Sequence, residues 1–235
     1  MKFTEILKQY PDLKPLLANM PEELREHFRL AQYKANGFIH EKNTQLDAFG
    51  ILCKGECRIV NILANGNVYM IERNKAVAFI GEVTLMAGET LSSVSIETVT
   101  PCDVLYLPLP DFYSWIQRDI GFLYHLNQQI ARKLYTTSSA QGERQYYPVQ
   151  YVVLSYLLKA WEGDSHKKKQ FVLGETRQQM CESMGLTVKT LNRTISAFRD
   201  SGLVSIQKGK VSFAATQVEQ MKKEAQVYVG KNRRS

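Results

Sequence analysis

The residues most able to do chemistry lie between Thr187 and Arg193, inside the segment ETRQQMCESMGLTVKTLNRTISAFRDSGLVSIQKGKVSF that runs from Glu175 to Phe213. Gly185 stands where the chain must turn sharply. Thr187 is placed to cap a helix whose polar face carries Lys189, Thr190, Asn192 and Arg193. The segment reads as two short helices joined by a tight turn, followed by a hairpin wing from Leu203 to Phe213. Such a unit reads DNA by laying its second helix in the major groove. Thr176 and Arg177 open the first helix, where amides and a cation can hold phosphate, and Gln178, Lys208 and Lys210 are further candidates of that kind. Leu186, Leu191, Ile195, Phe198 and Leu203 read as the small core that fixes the helices, together with Met180, Cys181 and Met184.

The other reactive side chains make weaker patterns. Cys53, Cys57, Cys102 and Cys181 form no zinc or disulfide framework. Cys53-x3-Cys57 brackets a strand turn and reads as two small buried thiols, with a redox or metal role as the alternative. The histidines at 27, 40, 125 and 166 show no metal-ligand spacing, and no metal or required cofactor is expected. No serine–histidine or paired-carboxylate constellation stands out, so the chain does not read as an enzyme.

The elements that position these residues change character along the 235-residue chain, which is long enough for two modest domains. Residues 1–30 read as short helical pieces broken by Pro11, Pro15 and Pro21, with PEELREHFRL as one amphipathic piece. From Ala31 to Pro108, Val/Ile/Tyr/Phe-rich segments alternate with turn signals, which predicts a compact antiparallel barrel or sandwich. Asn65-Gly66 is a hairpin signal, because both residues tolerate positive φ. Asp119 is a plausible N-cap for a long helix running to about Gly142, with Phe122, Leu123, Leu126, Ile130 and Leu134 as a narrow apolar stripe. That stripe suits a seam between two copies of the helix. Gly142 is either a hinge or the end of the helix. Pro148 starts a further, largely buried helix, HKKKQFVLGE is a charged loop and short strand, and a polar helix and a basic tail close the chain.

Charge follows the same division. Fourteen Lys/Arg stand against six Asp/Glu from Asp164 to Ser235, while the remainder holds sixteen against seventeen, so the whole excess of +7 sits with the helix-turn-helix. A basic segment beside a near-neutral one fits a nucleic-acid reader joined to another module. No apolar run reaches the roughly 20 residues of a membrane helix, and the N-terminus lacks a secretion signal, so a cytoplasmic location is expected.

The order of parts resembles the Crp/Fnr superfamily of bacterial transcription regulators. GILCKGECRIV is similar to the family's β-roll strand, AFIGEVTLMAGETLSSVSIET to its effector-binding cassette, and TRQQMCESMGLTVKTLNRTISAFRDSGLV to its helix-turn-helix. The phrases ILANG and FIGEVTLM are closest to the YeiL-like branch. The resemblance implies an α+β chain: an antiparallel β-roll of the cupin-like, jelly-roll kind, a long linker and dimerisation helix, and a winged helix-turn-helix. The boundaries fall at 1–118 for a cyclic-nucleotide-binding-like sensor, 119–146 for the linker and 147–235 for the DNA-binding domain.

The resemblance also assigns roles. Arg193 matches the family arginine that contacts guanine, Asn192 could pair with adenine, and Val188 could touch a thymine methyl. Val188-Lys189 stands where cyclic-AMP receptor proteins carry Arg-Glu, so neither their operator nor that of the oxygen-sensing relatives is expected to be the best site. In the cassette Gly81 and Glu82 match, but the phosphate-binding arginine falls at Leu91, followed by Ser92 and Ser93. A leucine cannot neutralise a phosphate, so cyclic AMP is not the expected effector. Thr137-Ser138 match the adenine-contacting pair and keep a cyclic nucleotide as an alternative; a redox or metal response through Cys53 and Cys57 is the other. The main expectation is an unidentified small molecule, in a pocket lined by Tyr69, Phe79, Leu91, Leu126, Ile130 and Tyr135. Double-stranded DNA, a second copy of the chain and RNA polymerase are the partners the resemblance implies, with no membrane.

Overall fold

The computed structural model describes residues 2–163 and 170–232. The charged loop around His166 and the last residues of the tail, 233–235, lie outside them. The chain forms two compact units, Met1–Thr136 and Thr137–Ser235.

The first unit opens with helices α1 (Phe3–Gln9) and α2 (Lys14–Leu17) and two 3-10 turns, Pro11–Leu13 and Glu22–His27. The expected amphipathic piece after Pro21 is therefore a 3-10 turn, and Arg29 already belongs to a strand. Eight strands follow: β1 (Arg29–Tyr33), β2 (Phe38–His40), β3 (Ala48–Lys54), β4 (Glu56–Ile62), β5 (Val68–Lys75), β6 (Ala78–Ile80), β7 (Ser95–Thr98) and β8 (Cys102–Pro108), with α3 (Glu82–Met86) between β6 and β7. They make two antiparallel four-stranded sheets, ordered β1-β8-β3-β6 and β2-β7-β4-β5. Helix α4 (Leu109–Arg118) leads into the long α5 (Ile120–Tyr146).

Strand β3 shows why the sequence is so apolar there. Leu52 joins Cys57, Ile96, Cys102 and Val104 in one core. Phe49, Ile51 and Cys53 join Phe112, Trp115, Phe122 and the N-terminal helices in another. The sheet is covered on both faces, so its strands lose the polar alternation of a half-exposed strand. Gly50 is required by the same crowding, since a Cβ would stand 2.8 Å from that of Ile80.

Between β4 and β5 only Gly66 takes a positive φ, 79°. Leu63 and Asn67 pair across the loop, so Asn65-Gly66 ends a three-residue hairpin rather than forming a two-residue turn.

Asp119 caps α5 as expected: its Oδ1 accepts the Phe122 N–H at 3.0 Å, and its Oδ2 accepts the Trp115 indole N–H at 3.1 Å. Trp115 then stacks on Phe122 with ring centroids 3.6 Å apart. The helix continues through Gly142 to Tyr146, so that glycine does not end it.

The second unit holds α6 (Val149–Glu162), β9 (Gln170–Val172), α7 (Arg177–Met184), α8 (Val188–Asp200), β10 (Ser205–Gln207), β11 (Lys210–Ala214) and α9 (Ala215–Asn232). The three strands form one antiparallel sheet in the order β10-β11-β9. Val153, Leu154 and Leu157 of α6 pack with Met180, Leu191, Ile195, Phe198, Phe213 and Met221 into a single core.

Candidate nucleic-acid interface and sensor pocket

Two local devices fix the α7–α8 pair. At the start of α7, the Thr176 hydroxyl accepts the Gln179 N–H, and the Gln179 side chain accepts the Thr176 N–H at 2.8 Å, closing a reciprocal capping box. At its end, Gly185 takes φ 67°, which lets the Leu186 N–H return to the Cys181 carbonyl at 3.0 Å. Thr187 then caps α8 through the Thr190 N–H.

Helix α8 is sharply two-sided. Leu191, Thr194, Ile195 and Phe198 are buried, while Val188, Lys189, Asn192, Arg193, Ser196 and Ala197 are exposed. Its outward face thus carries four of the six expected base-contact candidates. Thr187 is exposed, but its hydroxyl lies 2.9 Å from that of Thr190, which is half-buried. These two hold the helix start. Ser196 and Ala197 share the exposed Val188–Asn192–Arg193 face by helical spacing.

The expected phosphate contacts divide in two. Thr176, Gln178 and Lys208 are exposed, and Lys208-Gly209 forms the wing tip with φ 49° and 78°. The Gln178 amide already donates to Glu182 at 3.0 Å. Lys210 is bonded to the Gly174 carbonyl, and Arg177 is half-buried against the Met180 sulfur. Burial pulls the Arg177 pKa below its ordinary value.

In the first unit the cassette residues sit where the sequence placed them, but they face different surroundings. Gly81 takes φ 85° and starts α3. Glu82 is buried, and its Oε1 lies 2.8 Å from Nζ of Lys133 on α5. That ammonium also meets Glu72 on β5 at 2.9 Å. Burial opposes the charge on Lys133, yet Glu82 and Glu72 together hold its pKa above the ordinary lysine value. The Glu82–Lys133 contact has ion-pair distance without hydrogen-bond alignment, so both atoms keep unused bonding capacity. Sequence reasoning missed Lys133, although it follows Phe122, Leu126 and Ile130 on the buried stripe.

The pocket and seam candidates differ in exposure. Leu91 is 57% exposed and Ser93 is exposed. Ser92 is buried, with its hydroxyl donated to the Val94 carbonyl at 2.7 Å. Tyr135, Thr137 and Ser138 are exposed, and Phe79 and Leu126 are core residues. Phe122 and Leu126 are buried by the β-roll's own aromatic cluster and are not open to a second chain; Leu123 and Ile130 are half-buried. Of the expected seam only Leu134 is exposed, and the other exposed large hydrophobics on α5 are Ile120, Tyr124, Tyr135 and Tyr146.

The thiols are also placed. Cys53 packs among the helices, whereas Cys57 and Cys102 share the core between the sheets. Burial pushes the Cys53 and Cys57 pKa values up to about 12.

Residues 30–119 match the family of the cyclic nucleotide-binding domain, and residues 153–223 that of the Crp-like helix-turn-helix domain. Regulatory protein YeiL of Escherichia coli O157:H7 is 25% identical over 176 residues, covering 75% of this chain and 77% of that protein. The cAMP-activated global transcriptional regulator CRP of Pasteurella multocida is 23% identical over 198 residues, covering 83% of this chain and 92% of that one. Among solved structures, the c-di-GMP responsive global regulator CLP of Xanthomonas campestris has the same fold, with TM-score 0.71 and 17% identity over 81% of this chain and 95% of that chain.

Proposed function

The chain belongs to the Crp/Fnr superfamily of transcription regulators, and on that premise we propose that it acts in the cytoplasm as a homodimer on a pseudo-palindromic operator, under a small-molecule effector other than cyclic AMP. The observation that carries the DNA reading is the outward face of α8. Val188, Lys189, Asn192 and Arg193 project from a helix whose opposite face is locked into the core. A guanidinium there can donate to guanine O6 and N7, and the Asn192 amide can pair with adenine.

Pairing is supported by α5. Ile120, Tyr124, Ala131 and Leu134 are exposed and follow steps of four, seven and three residues, the heptad rhythm of a two-helix seam. This seam replaces the one expected from the apolar stripe. A two-fold dimer would present two recognition helices about 34 Å apart, one turn of duplex.

The reading against cyclic AMP rests on charge. Leu91 brings no cation to a phosphate, and Glu82 is already engaged by Lys133. At the cassette position where the family arginine is expected, a cyclic phosphate would meet an uncharged side chain, and the nearest cation to Glu82, Lys133, is already shared between Glu82 and Glu72.

Footprinting on DNA upstream of the protein's own coding sequence tests the reading. Two protected half-sites about 10 base pairs apart are expected, with affinity falling steeply as salt rises. Failure to bind any fragment above non-specific competitor, or tightest binding to the cyclic-AMP-receptor operator, would contradict it.

A further inference from the structure

Between β5 and α5 lies a cleft of about 360 Å³, entirely within the first unit. Its walls include Glu72, Asn74, Lys75, His125, Arg132 and Lys133. Gly81, Leu91 and Ser92 do not line it, and its wall reaches the cassette through Lys133, the partner of Glu82.

The polar groups of this cleft are unequally used. The Lys133 charge is compensated inside the wall by Glu72 and Glu82. Lys75 and Arg132 are exposed and have no ion-pair partner among the described residues. Asn74 is only 8% exposed, yet its amide nitrogen makes no hydrogen bond. Buried amides are normally paired, and an unpaired one on a residue in the wall of a cleft marks where a partner belongs. Val77 and Ala78 add a small apolar surface.

We infer that this cleft binds a small organic acid, with its carboxylate on Arg132 and Lys75 and a second hydrogen-bonding group on Asn74. A planar carboxylate takes two parallel bonds from a guanidinium. A phosphate monoester would bring nearly two charges against a wall that already holds Glu72, so a carboxylate fits better. The volume is at the low end of small-molecule sites, which span roughly 300–1,000 Å³. A ligand there joins β5 to α5 and so acts on the helix that carries the proposed seam. The inference rests on the reading of the protein as effector-controlled and extends it by naming the site and the ligand class.

Thermal unfolding of the full chain tests it, with the singly charged sodium salts of lactate, pyruvate, glycolate and L-glutamate as probes. Sodium chloride at equal ionic strength and inorganic phosphate serve as references. At least one acid is expected to raise Tm by about 5 °C near saturation. Arg132→Gln should weaken its apparent affinity at least tenfold. Asn74→Asp should do the same by placing a like charge at the second contact. The inference is overturned if no acid exceeds chloride, if phosphate matches the best acid, or if the shift survives both substitutions. Operator affinity measured with the same acids separates the two claims. A Tm shift without a change in DNA binding keeps the cleft as a site and removes effector control. Unaltered DNA binding with no Tm shift removes the cleft and leaves the regulator.

Discussion

Lys133 places its ammonium 2.8 Å from the buried Glu82 carboxylate, so a cation from α5 compensates the one buried glutamate of the cassette. Replacing it with Lys133→Met leaves Glu82 and Glu72 facing each other without a cation. The expected cost is about 3 kcal/mol, the low end for breaking a buried pair, because Glu72 keeps some solvent. Urea denaturation measures it, and Lys133→Met with Glu82→Gln should recover most of the loss. The folded pKa of Lys133 is raised, so its contribution is complete below the unfolded value near 10.4 and fades only as pH climbs through the folded value. On the alkaline side the difference between wild type and Lys133→Met should therefore hold to about pH 9.

Cyclic AMP should give no calorimetric heat at micromolar concentration. Leu91→Arg alone should not create binding, because that position is exposed and Glu82 remains paired with Lys133. Micromolar affinity in either protein would overturn the reading of the cassette.

Substitutions on α5 distinguish the proposed seam from the core. Leu134→Glu adds a charge to the exposed face and should shift sedimentation from dimer to monomer with little change in Tm. Phe122→Ala should instead cost about 3–5 kcal/mol, because Phe122 is buried against Trp115.

On α8, Arg193→Ala should cost about 1–3 kcal/mol of operator affinity and relax preference at one base pair. Lys208→Ala on the wing tip should weaken all sequences alike and lower the salt slope by about one. Mobility-shift titrations across salt concentrations read both.

Cys53 and Cys57 should resist alkylation in the folded protein at about pH 8, since burial holds both thiols near 12 and the thiolate is the reactive form. They should react promptly in urea. Rapid native labelling with loss of DNA binding would revive a redox role.

The division of the chain was legible because local chemistry and pattern agree there. Asp119, Thr176, Thr187 and Gly185 announce helix ends through hydrogen bonds made within a few residues. The α8 face was legible because helical spacing separates Leu191 and Ile195 from Asn192 and Arg193. The exposed face of α5 proposed as a seam was not, because an apolar stripe states that a face is buried without naming its neighbour. Phe122 and Leu126 bury against the protein's own β-roll, which frees Ile120 and Tyr124 for the other side.

By itself, then, the sequence determined the order of parts, the winged helix-turn-helix and the missing arginine at Leu91, all of which depend on residue type and short-range spacing. Only the tertiary structure decided that Lys133 on α5 meets Glu82 beyond β6 and Glu72 on β5, that Asn74 lines a cleft with its amide nitrogen unpaired, and that the two thiols sit in different cores. Those relations join residues separated by tens of positions, and no periodicity records them because the pairing of sheets and helices brings them together.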